Sequence, residues 1–591
     1  MASARQVWSA SQASRLTTTA ETLPFANVLL AHVGGAAALF LATTDATLLA
    51  TIMPTIAEQL HVPPAQYTWV SVAYLLAQTM LQPVYGQLAD KLGRKAILVA
   101  SIVGFMIGSA LTAFAPSTAV LILSRALSGA AAAGIVSSVW VILSEIVVPS
   151  KRAAWSMALS CTWCTSAVAG PVLGGVFARS GHSFLSWRVA FLVNVPICIL
   201  ALALVLVSLR RFKFPERRCY LTWTDMYRDI RAHFDFVGMF LLMGGTACVL
   251  LAFSRTAATG WNDRTSIALV VVGVACLVLA GLYEARTERD ALIPPSLWQS
   301  MSASVVFISS FLITFAFNAG TFYLAVYAQA RGASPLEAGY YLLPYSLGSS
   351  AISIPTAIFI DRAQRGTKKT TLPPKVAFTV GLGVAAVGFG LMTMLDVHSS
   401  AFERAFFPLV AGLGIGMTFH SPFQILTNAV GPEDLASTTG AFFLVRFIAT
   451  TVGVSTGGVI LTSVLQNDLP SNFTVDQVMS DLNGLVNIPD TTTRDAVLAV
   501  VTRALSIIWM VCCPMAGLAC LAAICIPVTP VRSGEQVAKP KRAETPDSSH
   551  STSPSATETV HTVDLEKGPL PDCLVVPPAP LATSSDELHP H

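Results

Sequence analysis

Residues Gly86 to Lys95 read GQLADKLGRK, and the chain on either side of this string is apolar for about the length of a membrane crossing. Gly86 and Gly93 permit close helix approach and a tight turn, and Asp90 can accept hydrogen bonds from the N-terminus of a neighbouring helix. Arg94 and Lys95 form the kind of positive cluster that cytoplasmic loops retain. On these residues alone, the string also reads as a basic loop obeying the positive-inside rule.

Outward from that loop, apolar stretches bounded by charge or turn residues recur along almost the whole chain. They lie at 28–53, 67–88, 96–115, 118–145, 152–178, 188–208, 236–254, 266–285, 303–328, 337–360, 374–395, 406–428, 437–464 and 505–527. Each has the roughly 20 apolar residues that crossing about 30 Å of hydrocarbon requires, which predicts fourteen spans. Composition agrees: of 591 residues 53% are hydrophobic and 12% charged, with mean hydropathy +0.63. Ordinary globular chains are about 25% charged, so a soluble multidomain enzyme is excluded. A net charge of +3 gives no reason to expect nucleic acid as a partner.

With the N-terminus inside, most of the 36 Lys and Arg fall in the cytoplasmic set of alternate loops, which puts both termini in the cytoplasm. The sequon Asn472-Phe473-Thr474 then lies in the long outer loop 465–504, making Asn472 the candidate glycan acceptor. The expected organisation is a cytoplasmic N-terminal segment 1–27 and six spans in 28–208. A linker with two extra spans follows at 209–300, then six spans in 301–527 and a disordered tail at 528–591. The segment 209–234 carries seven Lys or Arg, as a basic linker that is partly a surface helix would. No cleavable signal peptide is apparent, because the first apolar segment continues as a span. Cys161 and Cys164 have CxxC spacing, but inside an apolar span, where cysteine acts as a small apolar residue.

Some polar residues fall within the spans. Asp45 and Arg125 should face an aqueous cavity or each other, since a charge at mid-bilayer costs at least about 2.5–3.5 kcal/mol. A structural ion pair and a proton-coupling pair both remain open. Arg446 is a further embedded charge, and His420, Gln424 and Asn428 form a stripe at i, i+4, i+8, read either as interhelical hydrogen bonding or as cavity lining. Gly170, Pro171, Gly174 and Gly175 combine a helix breaker with small residues at one-turn spacing, which permits a bend and close packing. Asp361 and Arg362, followed by Arg365, Lys368 and Lys369, repeat the loop at 86–95 faintly in the second half.

These strings resemble the major facilitator superfamily over residues 28 to 527. Gly86–Lys95 is similar to its loop pattern GxLaDrxGrk. Asp45-Ala-Thr47 through Pro54 resembles the Asp-x-Thr…Pro signature of the fourteen-helix drug:proton antiporters. Arg125-Ala-Leu-Ser-Gly129, continuing to Gly134, resembles RxxqGxg, with Ser128 replacing Gln. Gly170-Pro171-Val-Leu-Gly174-Gly175 resembles the antiporter motif GxxxGPxxGG, with Ser166 at its first glycine, and Trp187-Arg188 through Asn194-Val-Pro196 looks like the entry to the sixth span of drug exporters.

The resemblance implies an all-α polytopic fold, two six-helix halves plus two central helices, working by alternating access. It implies proton coupling at Arg125 and Asp45, conformational gating by Gly86, Asp90, Gly93, Arg94 and Lys95, and an export direction. The chain has no phosphate-loop string, so an ATP-driven pump is not expected, nor is an enzyme, cofactor or metal. The function expected is proton-coupled efflux of amphiphilic small molecules, drugs, toxins or a self-made metabolite such as a glycolipid or polyketide. A basic amino-acid carrier and a non-transporting sensor are the alternatives. The expected partners are a small-molecule substrate, protons and the bilayer of the plasma or vacuolar membrane, around a monomer.

Overall fold

Lipid offers no hydrogen-bond partner to a peptide group, so a chain this apolar satisfies its backbone within helices. The computed structural model describes residues 24–530 except 63, 148–151, 179–186, 211, 213–223, 225–227, 229–230, 233, 260–262, 288, 290–291, 294–296, 298–299, 334, 365–369, 431–434, 471 and 481. Nearly all of the expected N-terminal segment and tail, and most of the linker 209–234, lie outside the described residues. Among the described residues regular structure is helical, apart from isolated bridge positions such as that between Thr370 and Pro530.

In the first half the helices are α1 (Phe25–Leu60), α2 (Pro64–Leu92), α3 (Arg94–Ala113), α4 (Thr118–Ile146), α5 (Arg152–Ala178), α6 (Trp187–Leu192) and α7 (Asn194–Ser208). A hairpin follows, α8 (Phe236–Thr259) and α9 (Arg264–Glu284). The second half has α10 (Met301–Ala330), α11 (Pro335–Tyr341), α12 (Leu343–Gln364), α13 (Leu372–Met392), α14 (Ala401–Thr418), α15 (Ser421–Ala429) and α16 (Leu435–Asp468), then a short α17 (Val475–Ser480) and α18 (Thr491–Ile524).

Each of the fourteen expected spans falls on a helix or a broken helix. Twelve helical stretches among the described residues are long and apolar enough to cross a membrane. The other two expected spans fall on α2 and α5, which have the length, 29 and 27 residues. In α2 the apolar run is interrupted by Gln78, Gln82 and Gln87, all buried against protein. Apolar length alone therefore reaches twelve.

Prolines explain three breaks inside expected spans. Pro196 follows the turn at Val193, Pro344 the turn at Leu342 and Pro422 the turn at Phe419 and His420, each lacking the N–H that a continuous helix needs. The loop after α16, expected on the outer side, is shorter than expected. It runs from about 469 to 490 rather than from 465 to 504, because α18 starts at Thr491, almost four turns early. Asp490 caps it by accepting from the Thr492 and Thr493 backbones, and the first turns are polar enough to escape a hydropathy reading.

The halves repeat one packing plan. In the first, α4 packs on α2 and α3 and α1 packs on α5; in the second, α14 packs on α12 and α13 and α10 packs on α16. The halves meet along two seams, α2 against α16 and α5 against α12. The Gly440 Cα lies close to the Gln82 and Pro83 backbone at the first seam, and the Cys161 thiol points at the Ser350 carbonyl at the second. The hairpin sits outside both, docked on α2 and α16. Its α9 exposes Val271, Val272, Val278 and Leu282, the surface expected of a helix facing lipid.

Candidate functional site

The charge site is built where three helices of the first half are locked in register. Gly129 on α4 has no side chain, and a Cβ there would overlap the Tyr74 carbonyl of α2. Tyr74 in turn donates its hydroxyl to the Ala42 carbonyl of α1 at 2.6 Å. Asp45, one turn further along α1, and Arg125, one turn before Gly129 on α4, are thereby brought together. Both are almost fully buried, 3% and 1% exposed.

Arg125 Nη1 pairs with Asp45 Oδ2, and Nη2 donates to the Asp45 main-chain carbonyl at 3.2 Å. The guanidinium lies 4.4 Å from the Tyr74 ring centroid and 5.5 Å from that of Phe191, two faces that stabilise a cation out of water. Asn194, at the start of α7, donates to Asp45 Oδ1 at 3.4 Å and to Ser109 Oγ at 3.3 Å. The carboxylate therefore has a donor on each oxygen. Such a pair can hold charge in hydrocarbon, and a proton arriving at Asp45 would release the guanidinium fork.

The antiporter string approaches this site from α5. A Cβ on Gly170 would overlap the Thr47 side chain, so the small residue sets α5 against α1 two residues from Asp45. Gly174 and Gly175 are buried further along the same helix, and the Pro171 side chain lies outside the described residues.

In the loop at 86–95, Gly86 is buried in α2 and Gly93 turns the chain into α3 with φ of 91°, a conformation that favours glycine. Arg94 Nε lies 2.9 Å from Glu145 Oε1, both side chains buried, which ties the start of α3 to the end of α4. Lys95 donates to the Leu209 carbonyl at 3.1 Å just past the end of α7, where a cation complements the helix dipole. The Asp90 side chain lies outside the described residues.

The remaining sequence candidates are separate from this pair. His420 is buried at the break between α14 and α15, so the stripe with Gln424 and Asn428 does not run on one continuous helix. The Gln424 amide donates to His420 Nε2 at 2.7 Å, and Asn428 donates to its own helix at the Gln424 carbonyl, 2.8 Å away. Arg446 lies among aromatic rings at the α5–α16 side of the interior. Asn472 is exposed in the loop between α16 and α17. Asp361 ends α12, while Arg365, Lys368 and Lys369 lie outside the described residues.

Several partners escaped the sequence reading. Glu145 carried a usable signal, an acid ending an apolar span on the same side as the basic loop. Ser109 and Tyr74 carried none, and Asn194 stood only within the string entering the sixth span, since their parts depend on which helices touch. The second half repeats the lock without the charge. A Cβ on Gly412 would overlap the Tyr345 carbonyl, and Tyr345 donates to the Phe317 carbonyl at 3.4 Å, yet the positions matching Asp45 and Arg125 are Gly320 and Pro408.

Residues 35–454 match the profile described as Major Facilitator Superfamily. The chain belongs to that family. A facilitator-superfamily relative, the efflux pump dotC of Dothistroma septosporum, is 31% identical over 506 residues, covering 84% of this chain and 83% of that one. The efflux pump FUS6 of Gibberella fujikuroi is 26% identical over 488 residues, covering 80% and 84%. Among solved structures the human transporter MFSD10 (TETRAN) superposes with a TM-score of 0.52 at 15% identity, over 83% of this chain and 100% of that one, a likeness of fold. The protein is thus a multi-pass membrane transporter of the major facilitator superfamily and not an enzyme.

Proposed function

We propose that this transporter exports amphiphilic small molecules in exchange for protons, by alternating access between its two halves. The observation that carries the reading is the buried Asp45–Arg125 pair, which has no counterpart in the second half. An acid and a guanidinium enclosed by Tyr74, Phe191 and Asn194 supply one titratable carboxylate and a fixed cation that responds to its charge. Protonating Asp45 neutralises it and frees Arg125; losing the proton on the other side restores the pair. The names of dotC and FUS6 as efflux pumps support the outward direction. The basic amino-acid reading is weaker, because a cationic substrate needs an available acid and Asp45 is already held by Arg125. As part of the same proposal, the chain crosses the plasma membrane fourteen times as a monomer with both termini in the cytoplasm.

The energy suffices. One proton moving down about 100 mV and one pH unit releases roughly 3.7 kcal/mol, enough for a several-hundred-fold gradient of a neutral substrate. In inverted vesicles without ATP, an imposed gradient with the lumen acidic should drive accumulation, and a protonophore should abolish it. Accumulation only when ATP is supplied would refute proton exchange.

A further inference from the structure

The hairpin carries two acids that the transport reading does not use. Asp235 and Glu284 stand at the same end of it, one immediately before α8 and the other as the last residue of α9, and they are 0% and 4% exposed. Each carboxyl is tied to the backbone through one oxygen. Asp235 Oδ1 accepts from the Gly238 amide at 2.9 Å, in the manner of a helix cap, and Glu284 Oε2 accepts from the Ile293 amide at 3.0 Å, which holds the chain returning after α9.

The other oxygen of each acid, Asp235 Oδ2 and Glu284 Oε1, is buried without a hydrogen-bond partner. Both turn toward one point, since a Cβ on Gly238 would overlap the first and come within 3.2 Å of the second. Two carboxylates facing each other out of water repel, and each leaves an acceptor unsatisfied. One proton between them removes both penalties, because a carboxyl donating to a carboxylate forms a strong charge-assisted bond and leaves a single charge on two acids. A calcium ion would need six to eight oxygens, and among the described residues no third acid or histidine joins the pair.

The residue before Asp235 connects this end of the hairpin to the loop at 86–95. Phe234 is buried with Val84, Leu292 and Leu444, and its ring centroid lies 5.9 Å from Lys91 Nζ at the end of α2. Arg289 donates to the Phe234 carbonyl at 3.3 Å. From α16 the residues packed here are the apolar Leu444 and Ile448, while Arg231 and Arg286 are exposed.

We propose that Asp235 and Glu284 hold one proton between them, at a site separate from Asp45, and that this proton clasps the base of the hairpin against the loop at 86–95. A proton bound in the folded chain and released as pH rises gives stability that is present at low pH and lost at high pH. Its loss puts two charges where there was one and pushes apart the segments that Gly238, Ile293 and Phe234 hold in place. The proposal depends neither on the direction of transport nor on proton exchange at Asp45.

The test uses the full-length protein in lipid nanodiscs. Its infrared spectrum should contain the carbonyl band of a protonated carboxyl, and Glu284→Gln and Asp235→Asn should each remove it, since either amide donates to the remaining carboxylate in the proton's place. Protection of the Gly238 and Ile293 amides, relative to intrinsic exchange, should fall about tenfold or more between about pH 5 and about pH 9 in the native chain and change by less than about twofold in Glu284→Gln. Amides 91–95 should follow the same pattern. A band that survives either substitution would overturn the shared proton, as would equal pH dependence in the native chain and Glu284→Gln. Protection at about pH 9 restored by calcium ion would make the pair a metal site and overturn it too. Amides 91–95 that ignore pH while Gly238 and Ile293 respond would overturn the clasp. Should neither variant fold, flat protection across this range in the native chain overturns the proposal by itself.

Discussion

Arg125 and Asp45 stabilise each other only as a pair, and their single variants should differ sharply from the double. Arg125→Ala leaves Asp45 in hydrocarbon without its cation, at a cost of about 3–5 kcal/mol, seen as a lower melting temperature in detergent. Asp45→Asn combined with Arg125→Gln should recover most of that stability without recovering proton-driven flux. Arg125→Lys keeps the charge but loses the fork that reaches both the Asp45 carboxylate and its main-chain carbonyl, so flux should fall as well. Normal flux in the double variant would reduce the pair to a packing device. At the start of α18, hydrogen bonds from Thr493 and Thr492 hold Asp490 down to about 2. A carboxyl depressed below its ordinary 3.8 lends stability above that pH and loses it as pH falls through about 2. Protection of the amides in the first turn of α18, relative to their intrinsic exchange rates, should therefore fall between about pH 4 and pH 2 in the native chain and not in Asp490→Asn.

Helices in this molecule approach each other where side chains are missing, and the effect of adding one depends on what lies opposite. Gly129→Ala and Gly412→Ala would each drive a Cβ into a tyrosine carbonyl, Tyr74 and Tyr345, and overpacking against backbone costs about 1–3 kcal/mol or more. The two should be destabilising to a similar degree, since they hold matching locks in the two halves. Gly281→Ala on α9 meets nothing within 4 Å and should be neutral or stabilising by up to about 1 kcal/mol. Melting temperatures of the three purified variants check the order. At the start of α3, Gly93→Val forces a β-branched residue to φ of 91°, and Glu145→Gln weakens the tie from α4 to Arg94. Both should lower turnover several-fold while leaving substrate affinity nearly unchanged, because both residues lie at helix ends, away from the mid-helix Asp45–Arg125 pair. A large loss of affinity at constant turnover would contradict a gating role for this loop.

At the scale of the molecule, the two halves share one packing plan, and the buried Asp45–Arg125 pair of the first is matched in the second by Gly320 and Pro408. The hairpin α8–α9 rests through α8 on α2 and α16, the two helices of one seam. A reporter joined after Val531 should report from the cytoplasm, and Asn472 in the outer loop should be the acceptor if a glycan is added in a eukaryotic host. A glycan on an introduced sequon in the tail would reverse the orientation and with it the side on which the loop at 86–95 acts.

Apolar length and loop charge were enough to predict an all-helical polytopic fold, because lipid leaves the backbone no other way to satisfy its hydrogen bonds. The glycines of 86–95 were legible for a related reason: a left-handed turn at Gly93 is a local demand that sequence states directly. Asp45 and Arg125 were legible as candidates, since charge within an apolar span is costly wherever the span packs. Their pairing, and the parts of Tyr74, Asn194, Ser109 and Glu145, came only with the tertiary structure, because each depends on helix register and on which faces meet. The aromatic enclosure of Arg446 was equally hidden: Trp163, Phe419 and Phe442 come from three helices of two halves, and nothing in their spacing along the chain places them around one guanidinium. The sequence determined what must be buried in the membrane; the packing of the helices decided which buried groups could answer one another.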